Sequence, residues 1–130
     1  MQPRNIAALI CGLALVAGLT TAAYAQSISE CQALITALRV NTEAASIEGK
    51  NAEKDFAGLV GKLNEAALKL DQAKFCDAII KLNDYKARVQ QLASAGRLTF
   101  EAADQLTGGA DKAITCIVNL TTSAGIACAV

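Results

Sequence analysis

Residues 75–118 read FCDAIIKLNDYKARVQQLASAGRLTFEAADQLTGGADKAITCIV: two amphipathic segments on either side of a turn. In the first, Phe75, Ile79, Leu82, Tyr85, Val89 and Leu92 recur at intervals of three and four. That spacing places them on one face of a helix over about Lys74 to Ala95, which Gly96 ends. Thr99 then offers an N-cap, with Glu101 in the first turn complementing the helix dipole. Phe100, Ala103, Leu106, Ala110, Ile114 and Ile117 continue the apolar stripe along the second helix. Gly108-Gly109 interrupts it, so a kink or a weak turn is expected there.

Working outward, two more helical stretches precede this pair. One runs from about Ser29 to Ile47, with Cys31, Leu34, Ile35 and Leu38 as its stripe. Ser27-x-x-Glu30 and Ser29-x-x-Gln32 have capping-box spacing at its start, and Gly49 is a plausible stop. The other runs from about Asn51, a potential cap, to Leu70, with Phe56, Leu59, Val60, Leu63, Ala67 and Leu70 on one face. Gly58 and Gly61 lie inside it, where each costs about 1 kcal/mol relative to alanine. Close approach of a neighbouring helix would explain them. Glu65/Lys69, Asp77/Lys81 and Asp84/Arg88 are spaced as i,i+4 pairs on exposed faces. The tail from Thr121 to Val130 reads as irregular. Strand signals are missing, since there is no sustained period-two alternation and no Asn-Gly turn. Short connections between four helices imply an all-α, up-and-down bundle.

The chain has 130 residues, and the first 25 read as a secretory signal peptide. Arg4 precedes an apolar run from Ile6 to Leu19, and Ala23-Tyr24-Ala25 is a small-x-small cleavage motif. A single helical domain over residues 26–130 then remains, in the periplasm or outside the cell. Its charge is close to balanced: all 12 acidic residues belong to it, and every basic residue but Arg4, for a net charge of −1. No basic block is present to attract nucleic acid or an anionic membrane surface. The apolar run is short for a membrane span, so no stable insertion is expected after cleavage.

Removing the leader also removes Cys11 and the only proline, Pro3. Cys31, Cys76, Cys116 and Cys128 remain. An even number of cysteines in an exported domain points to two disulfides, with three possible pairings. A tetrathiolate zinc site is the alternative, but no CxxC pair is present. The hairpin turns near Arg97, with Cys76 before it and Cys116 at a similar distance after it. At about 1.5 Å per residue the two reach the same end of the bundle. That favours Cys76–Cys116, and leaves Cys31–Cys128 to pin the tail.

The chain contains no histidine. The usual general base, the Ser-His and Cys-His nucleophile systems and most zinc catalysis are therefore excluded. There is no phosphate loop after a strand and no calcium-loop spacing. No catalytic, cofactor-binding or metal-ligating residue is expected, and no cofactor. Asn119-Leu120-Thr121 fits the N-glycosylation pattern. Tyr85 reads as a core tyrosine whose hydroxyl reaches water.

The segments Leu59-Val60-Gly61-Lys62-Leu63, Ala78 to Tyr85 and Val89-Gln90-Gln91-Leu92, followed by Gly96 to Leu106, resemble the FIMAH domain, a helical module of bacterial extracellular proteins. The likeness spans about residues 56–113. It implies an accessory module for adhesion or ligand binding and carries no catalytic residues. The cysteines, the additional N-terminal helix and the lack of an attached enzyme depart from that pattern. Plant invertase and pectin methylesterase inhibitors are similar in plan, but their early, close cysteine pair is absent here. The expected function is an exported, non-catalytic module binding a protein or carbohydrate at the cell surface. The alternatives are a carrier of a small apolar ligand near Gly58, Gly61, Gly108 and Gly109, and an inhibitor of a secreted enzyme.

Overall fold

The computed structural model describes residues 28–128. The leader, its cleavage motif and Cys11 lie outside the described residues. Within them are four helices and no strand. They are α1 (residues 28–44), α2 (Ala52–Asp71), α3 (Phe75–Ser94) and α4 (Phe100–Ala124).

Each helix turns its stripe inward. Leu38, Leu59, Leu63, Leu82, Leu106 and Ile117 meet in one buried core to which all four helices contribute. The cross-links between helices give the topology. Gln32 and Arg39 of α1 donate to the Ala67 carbonyl (3.0 Å) and to Asn64 Oδ1 (3.2 Å) of α2. Glu65 and Asp55 of α2 meet Lys81 (2.9 Å) and Arg88 (2.5 Å) of α3. Cys31 and Leu38 of α1 meet Cys116 and Gly109 of α4. In every pair the number rises on one helix as it falls on the other, so neighbours are antiparallel. Lys86 pairs with Asp111 (2.5 Å) between α3 and α4. Across the diagonal, Tyr85 of α3 reaches Thr42 of α1. The result is the up-and-down four-helix bundle that the stripes imply.

Three helices end in the same way. The Lys74, Arg97 and Ile126 amides donate to the carbonyls five residues back, Lys69, Leu92 and Thr121. The residue before each donor has positive φ: Ala73 (58°), Gly96 (72°) and Gly125 (70°). These are Schellman ends, and two of them use the glycine that the left-handed conformation favours. Thr99 caps α4, its side chain accepting from the Ala102 amide at 3.1 Å.

Several local expectations are corrected. The first helix stops at residue 44, short of Ile47. Asn51 holds the cap position of α2 but its side chain makes no cap bond, because its backbone (φ −105°, ψ 23°) is not the extended form that aims a side chain at the first turn. Helix α4 continues unbroken through Gly108-Gly109 to Ala124, so the irregular tail begins only at Gly125. Packing overrides the weak propensity there. Close approach occurs at Gly109, where a Cβ would lie 2.9 Å from Leu38 Cδ1, and not at Gly58 or Gly61, where a Cβ would meet nothing within 4 Å.

The disulfides are Cys31–Cys116 and Cys76–Cys128, with Cα atoms 5.6 and 5.3 Å apart. The expected pairing of Cys76 with Cys116 is thus incorrect. Helical rise places all four cysteines at one end of the bundle, as the hairpin argument requires. Helical phase, at about 100° per residue, then decides which neighbour each meets. Cys116 lies on the side of α4 that faces α1, the side Gly109 shares seven residues earlier. Cys76 at the start of α3 is left for the returning tail. The bridges span 85 and 52 residues. On the chain-entropy model each stabilises the fold by about 4–5 kcal/mol.

Candidate functional site

The end of the bundle opposite the cysteines is held without covalent bonds. Asp55, in the first turn of α2, is only 3% exposed. Arg88 Nη2 of α3 donates to its Oδ1, and Arg97 Nη2, from the α3–α4 turn, pairs with its Oδ2. Arg97 also clamps the α1–α2 loop. Its Nε donates to the Glu48 carbonyl (3.1 Å), and the Glu48 amide donates to the Arg97 carbonyl (2.9 Å). Gly49 is required beside this clamp: its φ is +109° and a Cβ would lie 2.9 Å from Arg97 Nε. One buried carboxylate therefore ties together α2, α3 and, through Arg97, both loops at this end. Removing both arginines would leave an uncompensated buried carboxylate, at a cost of about 3–5 kcal/mol.

The clamped loop forms one wall of an open groove of about 790 Å³ between α1 and the first half of α4. Its side chains include Asn41, Ser46, Thr99, Gln105 and Lys112, with Gly108 leaving the floor low. On the other side of α4, Gln90, Ser94, Phe100, Asp104 and Thr107 surround a smaller groove of about 140 Å³ against α3. Asp104 belongs to both. Phe100 is 73% exposed, which corrects its assignment to the buried stripe. It is displaced by about 100° from the direction of the core-facing residues of α4. Ala103, three residues on, is buried, so the stripe begins one turn after Phe100.

Tyr85 is a core residue, but its hydroxyl does not reach water. Thr42 Oγ1 donates to the Leu38 carbonyl (2.7 Å), so the tyrosine donates in turn to Thr42 Oγ1 at 2.7 Å. Burial pushes its pKa up to about 12, with the Thr42 contact acting in the opposite direction. On the α2–α3 surface Glu65 pairs with Lys81 rather than with Lys69. That contact holds the glutamate below, and the lysine above, its ordinary pKa. Arg88 is likewise drawn to Asp55 rather than held by Asp84. The charges spaced four apart thus link helices.

The remaining expectations are placed as follows. The four cysteines are spent in disulfides, which removes the zinc alternative. Among the described residues no His, Cys, Asp or Glu group is arranged to hold a metal ion. Among them, too, no helix is long and apolar enough to cross a membrane. Asn119 is exposed on α4, but Thr121 of the same triplet is buried, with its hydroxyl donating to the Val118 carbonyl at 2.7 Å. The four glycines suggested for an apolar ligand do not converge. Gly58 opens onto α3 beside Lys62 and Arg88, whereas Gly109 packs on α1. Asp55, Arg97 and the exposure of Phe100 escape the sequence reading. Only the phase of Phe100 against Leu106 signals any of them. No family model, curated protein or solved structure matches this chain.

Proposed function

We propose that this chain is an exported, non-catalytic module that binds a protein or carbohydrate at the cell surface through the groove between α1 and α4. The observation that carries this reading is the groove itself, about 790 Å³, set on a bundle fixed at both ends. Two disulfides point to an oxidising compartment, in keeping with the leader-like segment of residues 1–25. The likeness of residues 56–113 to the FIMAH module supports an adhesive or ligand-binding role. A carrier of an apolar ligand fits less well, because Leu38 fills the space over Gly109 and the groove is open and bordered by Asn41, Asp104, Gln105 and Lys112 rather than closed around an apolar cavity. The inhibitor reading predicts a stable one-to-one complex with a secreted enzyme.

The test is retention of a partner from the producing cell's envelope fraction on immobilised, oxidised protein. Gly108→Trp, which fills the groove from an open position, serves as the blocked control. Retention by the native chain and loss in the variant is the expected result. Equal retention by both overturns the assignment. An intact mass beginning at Gln26, four hydrogen atoms lighter than the reduced chain, checks export and oxidation together.

A further inference from the structure

We propose that the ligand of this surface is a neutral glycan, with one sugar ring stacked on Phe100. The proposal rests on the binding-module reading above and names its ligand. Phe100 is exposed at the first position of α4, whereas Phe75 and Tyr85 are buried in the core and Phe56 is half-buried. Most of the ring lies outside the core, and the cap that starts α4 comes from the neighbouring Thr99 hydroxyl. A flat apolar face is thus held at the surface on a rigid helix.

What surrounds the ring selects the ligand. Gln90, Ser94 and Thr107 stand in the groove beside it, and Asn41, Ser46 and Gln105 stand in the groove across Asp104. The amides and the Ser hydroxyls both donate and accept, as do sugar hydroxyls, while Thr107, whose proton goes to the Ala103 carbonyl, accepts. Neither lining holds a Trp, Tyr or Arg of the kind that anchors protein interfaces. The only charged side chains in the two linings are Asp104 and Lys112, so no strong field of one sign steers a charged partner. Asp104 borders both grooves. A ligand longer than one ring would reach the larger groove by crossing the α4 ridge at Asp104.

The test is a titration of the ¹⁵N-labelled, disulfide-bonded protein with neutral hexasaccharides of β-1,4-glucan, α-1,4-glucan, β-1,4-xylan and β-1,4-mannan at millimolar concentration. At least one is expected to move the amide resonances of residues 90–107 and 41–46. Phe100→Ala should weaken that response at least tenfold, Phe100→Trp should keep it, and Gln90→Ala should weaken it several-fold. The exposed position leaves the fold intact in all three, which unchanged melting verifies. No response to any saccharide, a response on another face, or one indifferent to Phe100→Ala overturns the proposal. A photoreactive side chain at position 105 separates the two readings. Protein capture there without a saccharide response overturns the glycan proposal and leaves the module standing; silence in both overturns both.

Discussion

Tyr85 and its phenylalanine variant should exchange their order of stability as the solution becomes alkaline. The tyrosine is fully buried and its hydroxyl donates to Thr42. Tyr85→Phe removes that bond but leaves Thr42 its own acceptor, the Leu38 carbonyl. The cost near pH 8 is one net hydrogen bond, about 1 kcal/mol. Burial raises the folded pKa to about 12, against about 10 in the unfolded chain. Because the folded pKa is the higher one, the neutral form is favoured by folding. The associated stability is complete below pH 10 and is lost as pH rises toward 12. The loss is about 1.4 kcal/mol at pH 11 and a little over 2 kcal/mol at pH 12. Phenylalanine has no such loss. The two unfolding curves should therefore cross between about pH 10.5 and 11, with the variant the more stable above it. Guanidinium unfolding followed by circular dichroism at pH 8, 10 and 11.5 measures the difference, and lysine titration is common to both proteins and cancels. Residues 28–128 contain no other tyrosine and no tryptophan, so absorbance at 295 nm reads the Tyr85 titration in the same samples. A stability difference that stays constant from pH 8 to 11.5 would refute the reasoning.

Ala73 holds a positive φ at the end of α2 where α3 and α4 use glycine. Ala73→Gly should raise stability by about 1 kcal/mol, and Gly96→Ala should lower it by about the same or more, both read as midpoint shifts in denaturant. Gly108→Ala and Gly109→Ala should diverge in thermal melting. The first gains about 1 kcal/mol of helix propensity in open space. The second meets Leu38 and should lose at least that gain. Asp55→Ala should cost about 1–3 kcal/mol, since it removes the partner of two arginines that water still reaches, and an effect below about 0.5 kcal/mol would remove the ion cluster from the stability argument. Peptide mapping with a cut after Leu120, between Cys116 and Cys128, should return Cys31–Cys116 and Cys76–Cys128 as the linked pairs.

The helices were legible because the interior of a bundle imposes a period, and residues such as Leu59, Leu63, Leu82 and Leu106 keep it. Thr99 and Gly96 were legible because caps and left-handed ends demand particular side chains near the break itself. Properties that depend on azimuth or on distant segments were not. The cysteine pairing turns on which neighbour the side of α4 carrying Cys116 meets, and rise along the axis carries no information about that. Gly58 and Gly109 look alike in sequence, yet one faces solvent and the other lies against Leu38. Asp55 reads as an ordinary first-turn acid, a surface role worth a few tenths of a kcal/mol. Its partners lie 33 and 42 residues away, and only the antiparallel packing of α2 against α3 delivers them.

The two ends of the bundle are fixed by different chemistry, and this bears on the proposed site. The disulfides gather at the end where α1 begins and α4 finishes, while the larger groove lies at the other end, walled by the loop that Arg97 clamps. Reducing the cysteines removes a constraint that acts mainly on the unfolded chain. It therefore lowers stability while the groove in the surviving folded population keeps its shape. The Asp55–Arg97 pair acts on the folded state, because it sets where the Glu48 backbone sits and hence where Ala45 and Ser46 stand in the groove wall. Affinity at the proposed site should then follow the ion cluster and not the disulfides. Arg97→Lys keeps the charge at Asp55 but replaces the guanidinium fork that reaches Asp55 and the Glu48 carbonyl together. It should weaken binding more than its effect on melting accounts for, whereas Cys76→Ala with Cys128→Ala should lower melting and leave the affinity of the folded protein unchanged.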